Sequence, residues 1–124
     1  DGAKEKIRFL HIDTPESSYN PKAPRDSRRT GVPLAEIYRK GKAATEYLKK
    51  FIKVGDLVEI ETDKKLRCKY GRILGHVFIN GVYVNEEMVR AGYAKLMIYS
   101  PNRKYEGRIR KAFREAQENG LKYW

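Results

Sequence analysis

A chain of 124 residues with 27 Lys and Arg against 16 Asp and Glu, a formal net charge of +11, has room for one domain with one core. Its charge excess draws polyanions, nucleic acid first and anionic membrane second. No apolar run reaches the about 18 residues that a membrane span needs, and the single cysteine, Cys68, excludes an internal disulfide and a cysteine-built zinc site.

Residues 5–12 alternate as one strand, which Asp13-Thr14-Pro15 ends because proline fixes its own φ and donates no hydrogen bond. Residues 17–33 hold Pro21, Pro24, Gly31 and Pro33 beside Lys22, Arg25, Arg28 and Arg29, and read as a long, basic, mobile loop. From Ala35 to Lys53 the pattern is helical. Ile37, Ala44, Leu48, Phe51 and Ile52 share a face, the firm helix begins near Gly41, and Gly55 stops it. A strand follows over 56–63, then a charged turn over 63–69, then a strand over 71–79. Asn80-Gly81 signals a hairpin into Val82–Val84.

Asn85 reads as the cap of a short helix over 86–91, with Val84 and Val89 as a hydrophobic staple. Residues 93–97 are extended, 100–102 turn, and a last helix runs over 105–119, with Tyr123 and Trp124 packing back onto the domain. His11 and His76, far apart in the chain, read as ordinary strand residues rather than a metal site. Short strands with helices at their ends suggest an α+β domain built on a small barrel, of which the oligonucleotide-binding fold is one.

Four features carry chemistry: Arg8, Asp13 with Glu16, KYGR at 69–72, and KLMIYSPN at 95–102. Taken singly, each has a plain structural reading as a surface arginine, loop-capping acids or a turn cation. Together they match what phosphodiester hydrolysis requires. Hard oxygen ligands hold a divalent ion, a carboxylate directs the water, guanidiniums neutralise charge on phosphorus, and aromatic faces with lysines hold the nucleotide.

The chain resembles the staphylococcal nuclease (thermonuclease) family over about Lys4 to Trp124. The likeness is carried by RFLHIDTPE at 8–16, RCKYGR at 67–72, INGVYVNEEMVRAGYAKL at 79–96, Tyr99 with Pro101-Asn102, and GLKYW at 120–124. The resemblance implies one nuclease domain over 1–124, an oligonucleotide-binding-fold barrel with three helices. It implies Arg8 and Arg72 as phosphate-binding catalytic arginines and Glu16 as the acid that directs water. Calcium would be held by Asp13, the Thr14 carbonyl and Glu16, and nucleotide by Lys69, Tyr70 and Tyr99. The implied partners are DNA and RNA as single strands or frayed duplex, and a secreted or cell-surface location is favoured.

Three departures accompany the likeness. The loop after DTPE is longer than the family's, and Met97 stands where the family often has a tyrosine. Seven residues precede Arg8, where the family has two strands bearing a further calcium-binding aspartate. Asp1-Gly2 reads as the turn between those missing strands, with an upstream segment or a second chain completing the barrel. Two rival readings follow: a non-catalytic nucleic-acid-binding module of the same fold, and an inactive fragment that needs its first strands.

Overall fold

The computed structural model of the protein describes residues 4–14 and 22–121, without the side chains of Lys22, Ala23 and Asp26. In chain order it contains β1 (Ile7–Phe9), β2 (His11–Asp13), α1 (Lys22–Thr30), α2 (Leu34–Leu48), β3 (Glu59–Arg67), β4 (Ile73–Ile79), β5 (Val82–Tyr83), α3 (Val84–Arg90), β6 (Lys95–Met97) and α4 (Glu106–Glu118). β4 pairs with β3 and β5 antiparallel and with β1 in parallel, while β2 and β6 form a separate antiparallel pair. The content is α+β as expected. Among the described residues there are four helices rather than three, and the two sheets do not close into a barrel. The strands that the resemblance sets ahead of β1 fall outside the described residues, as do Tyr123 and Trp124.

Five local expectations are corrected. The first strand is broken: Leu10 turns, and His11 takes a left-handed backbone, φ 70°, so β1 runs along β4 while β2 leaves for β6. Residues 22–30 are helix α1 within the expected loop. Pro24 sits in its first turn, where the missing N–H has no intrahelical partner to lose. α2 runs from Leu34 straight through Gly41, which is buried in it, so the helix does not wait for Gly41 to begin. β3 continues through the expected charged turn to Arg67, with a register shift between Thr62 and Arg67 absorbing the extra residues. Finally, α3 begins at Val84 with Tyr83 at its cap and no side-chain cap hydrogen bond, so neither the Asn85 cap nor the staple forms.

The Asn80-Gly81 hairpin does form, with both residues at positive φ (50° and 79°) as the tight turn demands. It returns the chain so that α3 lies at the centre of the molecule. Val84, Met88 and Val89 pack there with Ile109 and Ala112 of α4, Ala44 of α2 and Val77 of β4. Arg108 forks onto Glu86 at 2.8 and 3.0 Å, and Arg90 reaches Glu115 at 2.8 Å, tying α3 to α4 at the rim of this core.

Asn85 serves the core instead of the helix end. Fully buried, its Oδ1 accepts from Val77 N–H (3.0 Å) and its Nδ2 donates to Leu10 O (2.9 Å) and Gly75 O (3.3 Å). One amide thereby holds α3, β4 and the break between β1 and β2 together. Asn85→Ala should lower stability by about 3 kcal/mol, because it strands a buried N–H and carbonyl. The exposed Gln117→Ala should stay within about 0.5 kcal/mol. Urea unfolding of the two variants checks this, and equal midpoint shifts would contradict it.

Candidate active site

Arg8 stands in the middle of β1, in register with Leu74. Its guanidinium folds over the break in the strand. Nη1 donates to Phe9 O and Ile12 O, both at 2.9 Å, and Nη2 donates to Met97 Sδ at 2.8 Å. One side chain therefore bridges β1, β2 and β6. Met97, where the resemblance led one to expect a tyrosine, fixes this arginine with its sulfur.

Asp13 ends β2 opposite Lys95 of β6, is 6% exposed, and has Lys95 Nζ 4.0 Å from its Oδ2. Thr14 follows it. Glu16 lies outside the described residues, so its place beside Asp13 remains a reading of the sequence.

Arg72 is delivered by a turn. Cys68 N–H donates to Arg72 O (2.9 Å) and Gly71 N–H to Cys68 O (3.0 Å), with Gly71 at φ 85°, a backbone that glycine adopts without strain. Arg67 pins the turn, donating to Gly71 O at 2.8 Å and to Glu5 at 2.7 Å.

The structure brings Arg8, Asp13, Thr14 and Arg72 to one cavity of about 390 Å³, walled by Ile7, Phe9, Ile12, Leu48, Met88 and Met97. Asp13 and Thr14 offer hard oxygen donors, which suit calcium or magnesium better than a softer ion. Two arginines on the same wall suit a phosphate. Charged and hydrogen-bonding groups thus share one cavity with apolar side chains.

A second cavity of about 380 Å³ shares Arg8, Phe9 and Met97 with the first and adds Lys65, Cys68, Lys69, Tyr99, Pro101 and Asn102, among others. Lys69 and Tyr99 are therefore next to the arginine wall. Tyr70 is not on either cavity; it is 76% exposed, with Lys69 Nζ 5.1 Å from its ring centre. Buried Asn102 holds the Tyr99 turn in place. Its side chain accepts from Lys65 N–H (2.7 Å) and donates to Lys65 O (3.1 Å), and its N–H donates to Tyr99 O (3.1 Å). Asn102 was legible only as a turn residue, because its partner lies 37 residues away.

The histidines were misjudged as isolated. The His11 and His76 rings lie against each other, centres 5.0 Å apart and planes tilted by 59°, and His76 reaches Asp63 at 3.2 Å. Sequence distance hid the pairing, since β2 and β4 meet only through the fold.

A profile of the staphylococcal nuclease homologues matches residues 6–124. The whole chain aligns at 32% identity with a thermonuclease of Staphylococcus intermedius, covering 66% of that protein. It aligns at 32% identity with Endonuclease YncB of Bacillus subtilis, covering 53% of it. Over 72% of the chain, identity with Endonuclease YhcR of the same organism is 37%, on 7% of that protein's length. The chain thus spans about two thirds or less of the length of these relatives.

Cys68 reports on the Arg72 turn. Burial raises its thiol pKa, but hydrogen bonds from the Tyr70 and Arg72 backbone and from the Arg72 side chain, with its positive charge, outweigh burial and bring the thiol to about 7. The thiolate fraction should rise with pH through about 7. Iodoacetamide alkylation of Cys68 should follow that curve, and Arg72→Ala should move the midpoint upward. A midpoint near the ordinary thiol value in the unsubstituted protein would show that Arg72 does not face Cys68 in solution.

Proposed function

The chain belongs to the family of staphylococcal nuclease homologues, and on that premise we propose that it is the nuclease domain of a calcium-dependent enzyme. This enzyme hydrolyses phosphodiester bonds of DNA and RNA, as single strands or frayed duplex, with little sequence preference. The observation that carries the reading is the cavity that gathers Arg8, Asp13 and Thr14 from one stretch of the chain and Arg72 from another. The thermonuclease and endonuclease names of the relatives support it.

Asp13 and the Thr14 carbonyl, with Glu16 as a further oxygen donor, would hold calcium, whose charge would polarise the phosphate. Arg8 and Arg72 grip the phosphate oxygens and neutralise the charge that gathers there as water attacks. Three of the five Arg8 N–H donors are engaged among the described residues, which leaves two there for a phosphate. Glu16 takes the proton of the attacking water as its oxygen bonds to phosphorus. The bond from phosphorus to the 5′ oxygen breaks, Arg72 favours departure of that oxygen, which takes a proton from solvent water to become the 5′-hydroxyl, and the phosphate stays on the 3′ side. Lys69 and Tyr99 in the adjoining cavity, with exposed Tyr70 next to Lys69 in the chain, seat the nucleotide, the lysine by charge and the tyrosines by stacking.

Glu16→Gln should cut turnover by about 10²–10⁴-fold and leave the circular dichroism spectrum unchanged. Arg8→Ala and Arg72→Ala should harm turnover more than single-stranded DNA affinity. That affinity should fall with salt by a log–log slope of about −0.7 per phosphate neutralised. The assay is plasmid cleavage by the protein that contains this domain, with calcium and with chelator. Cleavage that survives chelation, or a Glu16→Gln variant with near-normal turnover, would overturn the reading; salt-dependent binding without cleavage would favour the binding-module alternative.

A further inference from the structure

We propose that His11, Asp63 and His76 form a second cation site, separate from the Asp13–Thr14 pocket and suited to zinc or a similar first-row transition ion. The three residues come from β2, β3 and β4 and meet in the interior. His76 is 0% and His11 2% exposed, and the Asp63 side chain is 6% exposed. One ring nitrogen of each histidine and one Asp63 oxygen lie within 4.8 Å of one another.

The separation of His76 Nε2 from Asp63 Oδ2 is 3.2 Å. Two ligands each about 2.0–2.1 Å from a tetrahedral ion stand about 3.3 Å apart, so one edge of the polyhedron is already made. The third donor need close by at most about 1.5 Å to join it.

The outer contacts are those that orient ligating imidazoles. His11 Nε2 lies 2.6 Å from Lys104 O. A carbonyl only accepts, so Nε2 carries the hydrogen and Nδ1 keeps its lone pair. That Nδ1 is buried with no hydrogen-bond partner among the described residues, a costly arrangement in a protein interior. His76 Nδ1 lies 2.7 Å from Tyr83 OH. When Nε2 ligates, its hydrogen moves to Nδ1 and is accepted by that hydroxyl oxygen.

The charge states also fit. Burial pushes the His76 pKa down, against the raising effect of Asp63, the direction that favours the neutral ring a ligand needs. Burial raises Asp63, but the Lys64 and Lys104 N–H groups and His76 outweigh this and hold its carboxyl below the usual range. A left-handed backbone on a buried histidine is a strain of the kind that collects at functional positions. Two nitrogen donors favour a borderline ion over calcium. The fourth position falls to a water.

An ion there would brace the Tyr99 cavity. Lys104 N–H donates to Asp63 Oδ2 at 2.9 Å, and Lys104 O takes the His11 hydrogen, so both ends of one peptide residue hang on this cluster. Ser100, Pro101 and Asn102, shortly before it, line the nucleotide cavity. The site stands independently of the nuclease reading.

The test is cobalt titration of the protein in a Cys68→Ser background, which removes the competing thiolate. The expected result is uptake of one Co²⁺ with ligand-field bands, displacement by Zn²⁺, and no displacement by a tenfold excess of Ca²⁺. His76→Gln and Asp63→Asn should each weaken uptake at least tenfold, and Asp13→Asn should not. X-ray absorption on the unsubstituted protein should count two imidazoles around zinc, a readout that does not depend on the variants folding. Absence of uptake by the folded protein, uptake equal in all variants, or uptake lost with Asp13→Asn alone would overturn the proposal.

Discussion

One guanidinium bonded to two carbonyls across a broken strand, and to a thioether of the neighbouring sheet, sets the geometry on which the rest depends. Arg8 stands where β1 ends its run along β4 and β2 departs to meet β6. Its bonds to Phe9 O, Ile12 O and Met97 Sδ hold that divergence open at a fixed angle. The divergence separates two cavities, with Arg8 and Met97 as the wall between them. Asp13 and Thr14 follow directly from β2, so their place beside Arg8 is a consequence of the same break. Arg72 arrives from the other direction, on the turn that starts β4. Asn85 secures the arrangement from beneath by bonding Leu10, Gly75 and Val77 at once.

The electrostatics follow the same plan. The chain carries +11, yet Asp13, which lines one cavity with Arg8 and Arg72, is only 6% exposed. A buried carboxylate beside cations can hold a hard ion that the overall charge would otherwise repel. Lys65 and Lys69 on the second cavity add positive charge beside the first. α1 adds exposed Arg25, Arg28 and Arg29, positive charge at a distance from the cavities that attracts a polyanion without choosing its sequence.

Much of this was legible in the residues, and the failures share a cause. The Asn80-Gly81 hairpin, α4 and the Ile37, Ala44 and Leu48 face of α2 obey local rules and formed, but α2 ends at Leu48, so Phe51 and Ile52 lie beyond it and Gly55 is not its stop. Arg8, Asp13, Thr14 and Arg72 were found as short motifs and do share a cavity. The break at His11 left no mark, because no glycine or proline announces it; a histidine accepts the left-handed backbone under tertiary constraint. α1 hid behind Pro21, Pro24, Gly31 and Pro33, residues that end helices in most places but are tolerated just before, within the first turn of, or just after one. β3 ran on through a charged segment because one of its faces meets solvent, where charge does not oppose a strand. Asn85 looked like a cap because its three partners are eight, ten and 75 residues away. The pairing of His11 with His76 was invisible for the same reason.

The central claim is that one phosphate and one hard cation meet between Arg8 and Arg72, over Asp13. It is tested most directly by a crystal structure of the protein with calcium and a short single-stranded oligonucleotide whose scissile linkage is a slow-cleaving phosphorothioate. The account predicts a phosphate within hydrogen-bonding distance of both guanidiniums, and a calcium ion on an Asp13 oxygen and the Thr14 carbonyl. An oligonucleotide seated on α1 or α2, with the Arg8–Arg72 cavity bare of phosphate and cation, would contradict it.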